Sequence, residues 1–215
     1  MKHLLFDLDG TIIEPKEGIL NSIRYAADTM GVVVPSDEEL HQFIGPPIMV
    51  SFQEKLGLSY AQALEAVGYF RAYYAKTGIH QNALFPYVDE LLKQLKDQGY
   101  TLFVATSKPT LFAKEILKDH QLDDLFVEIV GCNMDNSRSD KAEIIAYILE
   151  KYSLEAKDCL MIGDTKYDII GANKHGMATV GVHWGHGDFS HYPPLFTVDN
   201  CQELEILIKK EFPFY

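Results

Sequence analysis

Four short apolar runs in this chain end abruptly in polar or acidic residues, and helical patterns separate them. The runs are His3–Leu8, Thr101–Ser107, Cys159–Asp164 and Ala178–Trp184, with Leu125–Cys132 a weaker fifth. Each is too short for a helix and lacks the apolar–polar alternation of a half-exposed strand, so each reads as a strand buried on both faces. Between them, Val88, Leu91, Leu92 and Leu95 repeat at helical spacing before Gly99. Pro109 opens a second helix, with Phe112 and Ile116 on one face, and Asp140 and Glu143 start a third. Strands alternating with helices of this length predict an α/β fold, a parallel sheet covered on both faces.

One interval breaks the alternation. Residues 14–85 carry helical signals and no convincing strand. Ser36-x-x-Glu39 and Ser59-x-x-Gln62 resemble capping boxes, and Gly31, Gly45-Pro46-Pro47, Gly57 and Gly78 punctuate the segment. The expected organisation is a core of residues 1–13 and 86–215, interrupted by a helical domain of residues 14–85.

In a parallel sheet, ligands bind beyond the carboxyl ends of the strands. Those ends carry Asp7 and Asp9, then Ser107 and Lys108, then Asp164 with Asp168 close behind. Four carboxylates drawn to one edge repel one another, and a divalent cation relieves the repulsion. Oxygen donors without thiolate or imidazole point to Mg²⁺. Asp7 and Asp9 lie two apart on extended chain, so both face one side while Phe6 and Leu8 pack away. One carboxylate can attack phosphorus, and a second beside it can protonate a leaving alkoxide and then activate water. Ser107 can donate to a phosphoryl oxygen or simply cap the following helix. Lys141 stands in the first turn of its helix, where a cation is disfavoured by about 0.3–1 kcal/mol. A residue that breaks a local rule is a candidate for function.

With 19 basic and 31 acidic residues the net charge is −12. Nucleic acid is therefore excluded as a partner, and an anionic substrate must be drawn by a local positive field. Cys132, Cys159 and Cys201 are scattered and odd in number, which suits free thiols in a reducing compartment. No apolar stretch approaches the roughly 18–20 residues of a membrane span, and the chain turns acidic at Asp7, too early for a signal peptide. The expected location is the cytoplasm, without a membrane partner.

Asp7-Leu8-Asp9-Gly10-Thr11, Ser107, Lys141 and Gly163-Asp164-Thr165-Lys166-Tyr167-Asp168 match in order the four motifs of the haloacid dehalogenase-like hydrolases. From Gly163 to Gly187 the chain looks like the phosphoglycolate phosphatase branch of that superfamily. The resemblance implies a Rossmann-like sheet of order 3-2-1-4-5 and a helical cap where residues 14–85 lie. It implies a Mg²⁺-dependent phosphatase acting on a small phosphomonoester through an aspartyl-phosphate. Asp7 would be nucleophile and metal ligand. Asp9 would be the acid/base, with its backbone carbonyl on the metal. Ser107, Lys108 and Lys141 would hold the phosphoryl group, Asp164 would bind the metal, and Asp168 would support it. Gly45-Pro46-Pro47 resembles the cap loop that selects substrate. Asp9 argues against the dehalogenases and P-type ATPases of the superfamily. A 5′-nucleotidase, a pyrophosphatase, a phosphosugar mutase and an idle phosphate-binding module stay open as alternatives. The chain departs from the pattern at Glu14-Pro15, where relatives have Asp-Ser, and at His186, where they often have Tyr between the glycines.

Overall fold

A computed structural model describes residues 2–44, 46–135 and 137–213. Strand β1 (His3–Phe6) and a two-residue strand β2 (Ile13–Glu14) come first. Helices α1 (Lys16–Thr29), α2 (Asp37–His41), α3 (Ile48–Leu56) and α4 (Tyr60–Lys76) follow. Strand β3 (Ala83–Leu84) leads to α5 (Val88–Asp97), β4 (Thr101–Pro109), α6 (Thr110–Asp119) and β5 (Glu128–Cys132). Then come α7 (Lys141–Lys151), β6 (Cys159–Gly163), α8 (Lys166–Asn173), β7 (Ala178–Val182), β8 (Phe196–Val198) and α9 (Cys201–Glu211). The chain divides into two compact units, one of residues 1–14 and 84–215, the other Pro15–Ala83.

The first unit is an α/β layer structure. Its sheet has the order β5-β4-β1-β6-β7-β8, and the pairings along it are parallel. Counting only the five expected strands, the order is 3-2-1-4-5; the sixth, β8, extends one edge. Sequence reading missed β8 because it is three residues long and follows Pro193-Pro194. The central stretches of the strands are apolar because helices cover them. Leu5, Phe103, Val130 and Met161 pack with Ile144, Ile145 and Ile148 of α7 in one cluster, and burial contributes roughly 1.5–3 kcal/mol for each such side chain.

Two local irregularities shape the sheet's carboxyl edge. Beyond β1, the Leu8 carbonyl accepts the N–H groups of Thr11 (3.3 Å), Ile12 (2.9 Å) and Ile13 (3.0 Å), a single tight turn. Gly10 sits there at φ +80°, and a Cβ on it would collide with the Asp164 carboxylate. In β4 the register against β5 shifts between Ala105 and Pro109, so the strand carries a bulge over Thr106–Lys108. Gly131 of β5 permits it, since a Cβ would collide with the Lys108 carbonyl. The strand expected to stop at Ser107 thus runs to Pro109, which caps α6 rather than opening it.

The second unit is helical between β2 and β3, which pair as a two-stranded ribbon where no strand was expected. Ser36 and Ser59 cap α2 and α4 through full capping boxes with Glu39 and Gln62. Its interior is aromatic: Phe43 meets Phe52 edge-on (6.3 Å), Phe52 meets Phe70 (6.3 Å), and Phe70 stacks on Tyr74 (5.7 Å). Pro47 precedes α3 as its N-cap, beside Pro46; Gly45 lies outside the described residues. Among the described residues no helix is long and apolar enough to cross a membrane.

Candidate active site

Parallel pairing of β1 with β4 and β6 brings their ends together, and the chemistry follows from that convergence. Asp7 is held by its backbone N–H on the Ile162 carbonyl (2.9 Å). Its Oδ1 accepts the Leu8 N–H (2.8 Å) and lies 2.9 Å from Lys141 Nζ. Asp9 Oδ2 pairs with Lys108 Nζ at 2.8 Å. Lys141 reaches in from the first turn of α7, whose N-cap Asp140 accepts the Ala142 N–H (2.8 Å). Its ammonium also donates to the Ala105 carbonyl (2.8 Å) and lies 2.7 Å from Asp168 Oδ1. Its three N–H donors thus face three oxygens, which explains a buried lysine where the helix dipole opposes it.

Asp164, at the end of β6, is 1% exposed. Its Oδ2 accepts the backbone N–H groups of His186 (2.8 Å) and Gly187 (3.2 Å). Asp168 is fully buried at the start of α8, and its Oδ2 accepts the Thr165 N–H (3.0 Å) and hydroxyl (2.8 Å).

Burial sets the electrostatics. It pushes the Asp164 carboxyl well above the usual carboxylate range, and the charges of Asp168 and Asp7 push further, against the two N–H donors. Burial also raises Asp9, with Lys108 opposing, and raises Asp168, with Lys141 opposing. For Lys141 burial alone favours the neutral amine, but Asp168 and Asp7 outweigh it and keep it firmly charged.

These residues suit a divalent cation. Asp7, Asp164 and Asp168 each offer an oxygen within 4.8 Å of the others. Four aspartates face the two lysines, an excess of negative charge. Asp164 Oδ1 and Asp9 Oδ1 are buried without a hydrogen-bond partner among the described residues. All donors are oxygens, the preference of a hard ion. Asp168 Oδ2 accepts from Thr165 and its Oδ1 faces Lys141, so Asp7 and Asp164 are the two of the three that could hold an ion directly.

The expected residues Asp7, Asp9, Lys108, Lys141, Asp164 and Asp168 therefore meet at one place. Ser107 stands half-buried beside Lys108. Thr106, which sequence reading passed over, is 1% exposed, and its hydroxyl accepts the Lys108 N–H (3.2 Å). Alternation cannot say which of the two neighbouring hydroxyls faces the site, because the bulge interrupts it. In the loop after β7 the sequence marks His186 but not its contacts: Trp184 Nε1 donates to the Thr11 carbonyl (3.1 Å) and His186 Nε2 contacts Glu14 Oε1 (2.7 Å). Those partners lie too far apart in the chain for any spacing to reveal them.

Residues 4–182 match the haloacid dehalogenase-like hydrolase family, and the chain belongs to it. It is 40% identical over 209 residues, 95% of each chain, to a 5′-nucleotidase of Pseudomonas aeruginosa. It is 30% identical over 215 residues to a phosphoglycolate phosphatase of Vibrio parahaemolyticus, covering 95% of this chain and 94% of that one. The crystal structure of a predicted phosphatase from Clostridium acetobutylicum superposes with a TM-score of 0.92 at 36% identity, over 96% of this chain and 97% of that one. The protein is a phosphatase of this family, a phosphoric monoester hydrolase.

Proposed function

We propose that the protein is a Mg²⁺-dependent phosphatase that hydrolyses a small phosphomonoester through a phosphoryl group carried on Asp7. The observation that supports this best is Asp7 Oδ1 pinned by Lys141 and the Leu8 N–H, with its second oxygen free of that anchor, beside Asp9 and Asp164. An Asp7 oxygen attacks phosphorus as the ester P–O bond breaks, and Asp9 gives its proton to the departing alkoxide. Asp9 then takes a proton from water, whose oxygen attacks phosphorus while the Asp7 acyl-phosphate bond breaks. The raised affinity of Asp9 for a proton suits it to start as the acid. Asp7, Asp164 and the Asp9 carbonyl would hold Mg²⁺, which supplies charge neutralisation between carboxylates and phosphate. Lys141 fixes Asp7 and Asp168 and adds positive charge beside the phosphoryl group; Lys108, Thr106 and Ser107 line the same edge.

The helical unit is assigned the choice of substrate, with Gly45-Pro46-Pro47 as its selecting loop. The 40% identity to a 5′-nucleotidase favours nucleoside 5′-monophosphates, and the phosphoglycolate phosphatase relative makes phosphoglycolate the second candidate. The three cysteines are buried thiols, in keeping with a cytoplasmic enzyme. The test is a panel of nucleoside monophosphates, phosphoglycolate, sugar phosphates and pyrophosphate, ranked by kcat/KM with Mg²⁺ and again in excess EDTA. Nucleoside monophosphates are expected to lead and EDTA to abolish turnover. Full turnover after metal removal would refute the metal assignment.

A further inference from the structure

Glu14 and His186, one from each place at which the chain departs from the family pattern, are 172 residues apart and touch, His186 Nε2 lying 2.7 Å from Glu14 Oε1. A carboxylate can only accept at neutral pH, so the ring nitrogen facing it carries a proton. The tripeptide Gly185-His186-Gly187 also supplies both N–H groups that hold Asp164 Oδ2, at 2.8 and 3.2 Å. The loop lies hard against that residue: a Cβ on Gly185 would collide with the Asp164 side chain, and one on Gly187 with its carbonyl.

Those glycines create a difficulty that the contact resolves. A glycine-flanked segment has the greatest backbone freedom to lose, yet it must present two N–H groups to one oxygen, leaving Asp164 Oδ1 buried and unpaired among the described residues. The side chain between the glycines is that of His186, and it ends on Glu14. Glu14 in turn belongs to β2, the strand paired with β3, on the chain that follows the turn at Gly10. Trp184 ties the start of the loop to the same stretch at Thr11.

The geometry points to Glu14 and His186 as a positioning pair for metal binding: their contact fixes the loop whose N–H groups orient the Asp164 carboxylate. Neither residue touches the ion. This rests on the reading of Asp164 as a metal ligand. Outer partners of this kind are typically worth about 10–100-fold in metal affinity.

The test is Mg²⁺ binding to metal-stripped protein by calorimetry at one pH without substrate, so that contact of His186 with a substrate cannot influence the result. His186→Ala and Glu14→Ala are each expected to weaken binding about tenfold, with the metal-free melting temperature kept near that of the wild type. Together they should weaken it no more than either alone, since each removes the same contact. Glu14→Gln, which keeps an acceptor oxygen for the ring N–H, should restore most of the affinity. Should His186→Ala melt too early to assay, Glu14→Ala, whose side chain is 36% exposed, makes the same test. Asp164→Ala is the control. If Asp164→Ala loses binding while both single variants bind as the wild type does, the positioning role is wrong and the metal site stands. If the two losses add in the double variant, the residues do not act as a pair. If Asp164→Ala binds normally, both readings fall.

Discussion

In the sheet-bearing unit the buried polar side chains include Asp7, Lys108, Lys141, Asp164 and Asp168, five charged groups around one site. In the helical unit, among the described residues, the buried polar side chains are Ser22 and Ser51 and none is charged. Burying a charge costs several kcal/mol unless it is paired, so the first unit spends stability on electrostatics. The second unit is stabilised by aromatic packing and helix caps. The difference teaches where substitutions should register. In the sheet unit they should alter the reaction, and in the helical unit they should alter folding or the choice of substrate.

The largest effect expected is that of Asp7→Asn, which removes the proposed nucleophile and should lower kcat by about 10⁴-fold or more, with no phosphoenzyme detected by mass spectrometry. Residual phosphoenzyme on another residue would break the assignment. Asp9→Asn should cost about 10²–10⁴-fold on an alkyl phosphate. With an activated phenyl phosphate, whose leaving group needs no proton, phosphoryl transfer should partly recover and phosphate should accumulate on Asp7. Wild-type turnover without a trapped intermediate would refute the role given to Asp9.

Phe52→Ala probes the other side of the comparison. Phe52 is fully buried between Phe43 and Phe70, and its truncation should destabilise by about 3–5 kcal/mol in denaturant unfolding. Turnover of a small generic ester by the folded fraction should stay within a few-fold of the wild type, about the scale of 1 kcal/mol. Substitutions at Pro46 and Pro47 should change the ranking of substrates more than they change that generic ester, as kcat/KM across the panel will report. Equal effects on every substrate would leave the loop a structural role only.

The smallest effect concerns pH. In the folded, metal-free protein, burial and the charges of Asp168 and Asp7 raise the Asp164 carboxyl above the usual carboxylate range that it keeps in the unfolded chain. The stability this confers is complete below that range and is lost as pH rises through the elevated value. In EDTA the melting temperature should therefore fall with rising pH across that range. Mg²⁺ should reverse the trend by binding the ionised form, and Asp164→Asn should weaken it, Asp9 and Asp168 keeping the remainder.

The chain's own pattern determined the buried parallel strands, the alternation with helices and the capped helical segment, because these follow from local periodicity and turn chemistry. It also determined that Asp7, Asp9 and Asp164 share one edge, since a parallel sheet gathers the carboxyl ends of its strands. Tertiary structure alone decided the rest. The bulge opposite Gly131 settled how Thr106, Ser107 and Lys108 are presented, because a register shift depends on the partner strand and not on β4 itself. The partners of Lys141, Ala105 and Asp168, come from different strands and helices. The contact of Glu14 with His186 joins two ends of the sequence that no local rule relates; only the sheet, by setting β1 beside β6 and β6 beside β7, brings them within 2.7 Å.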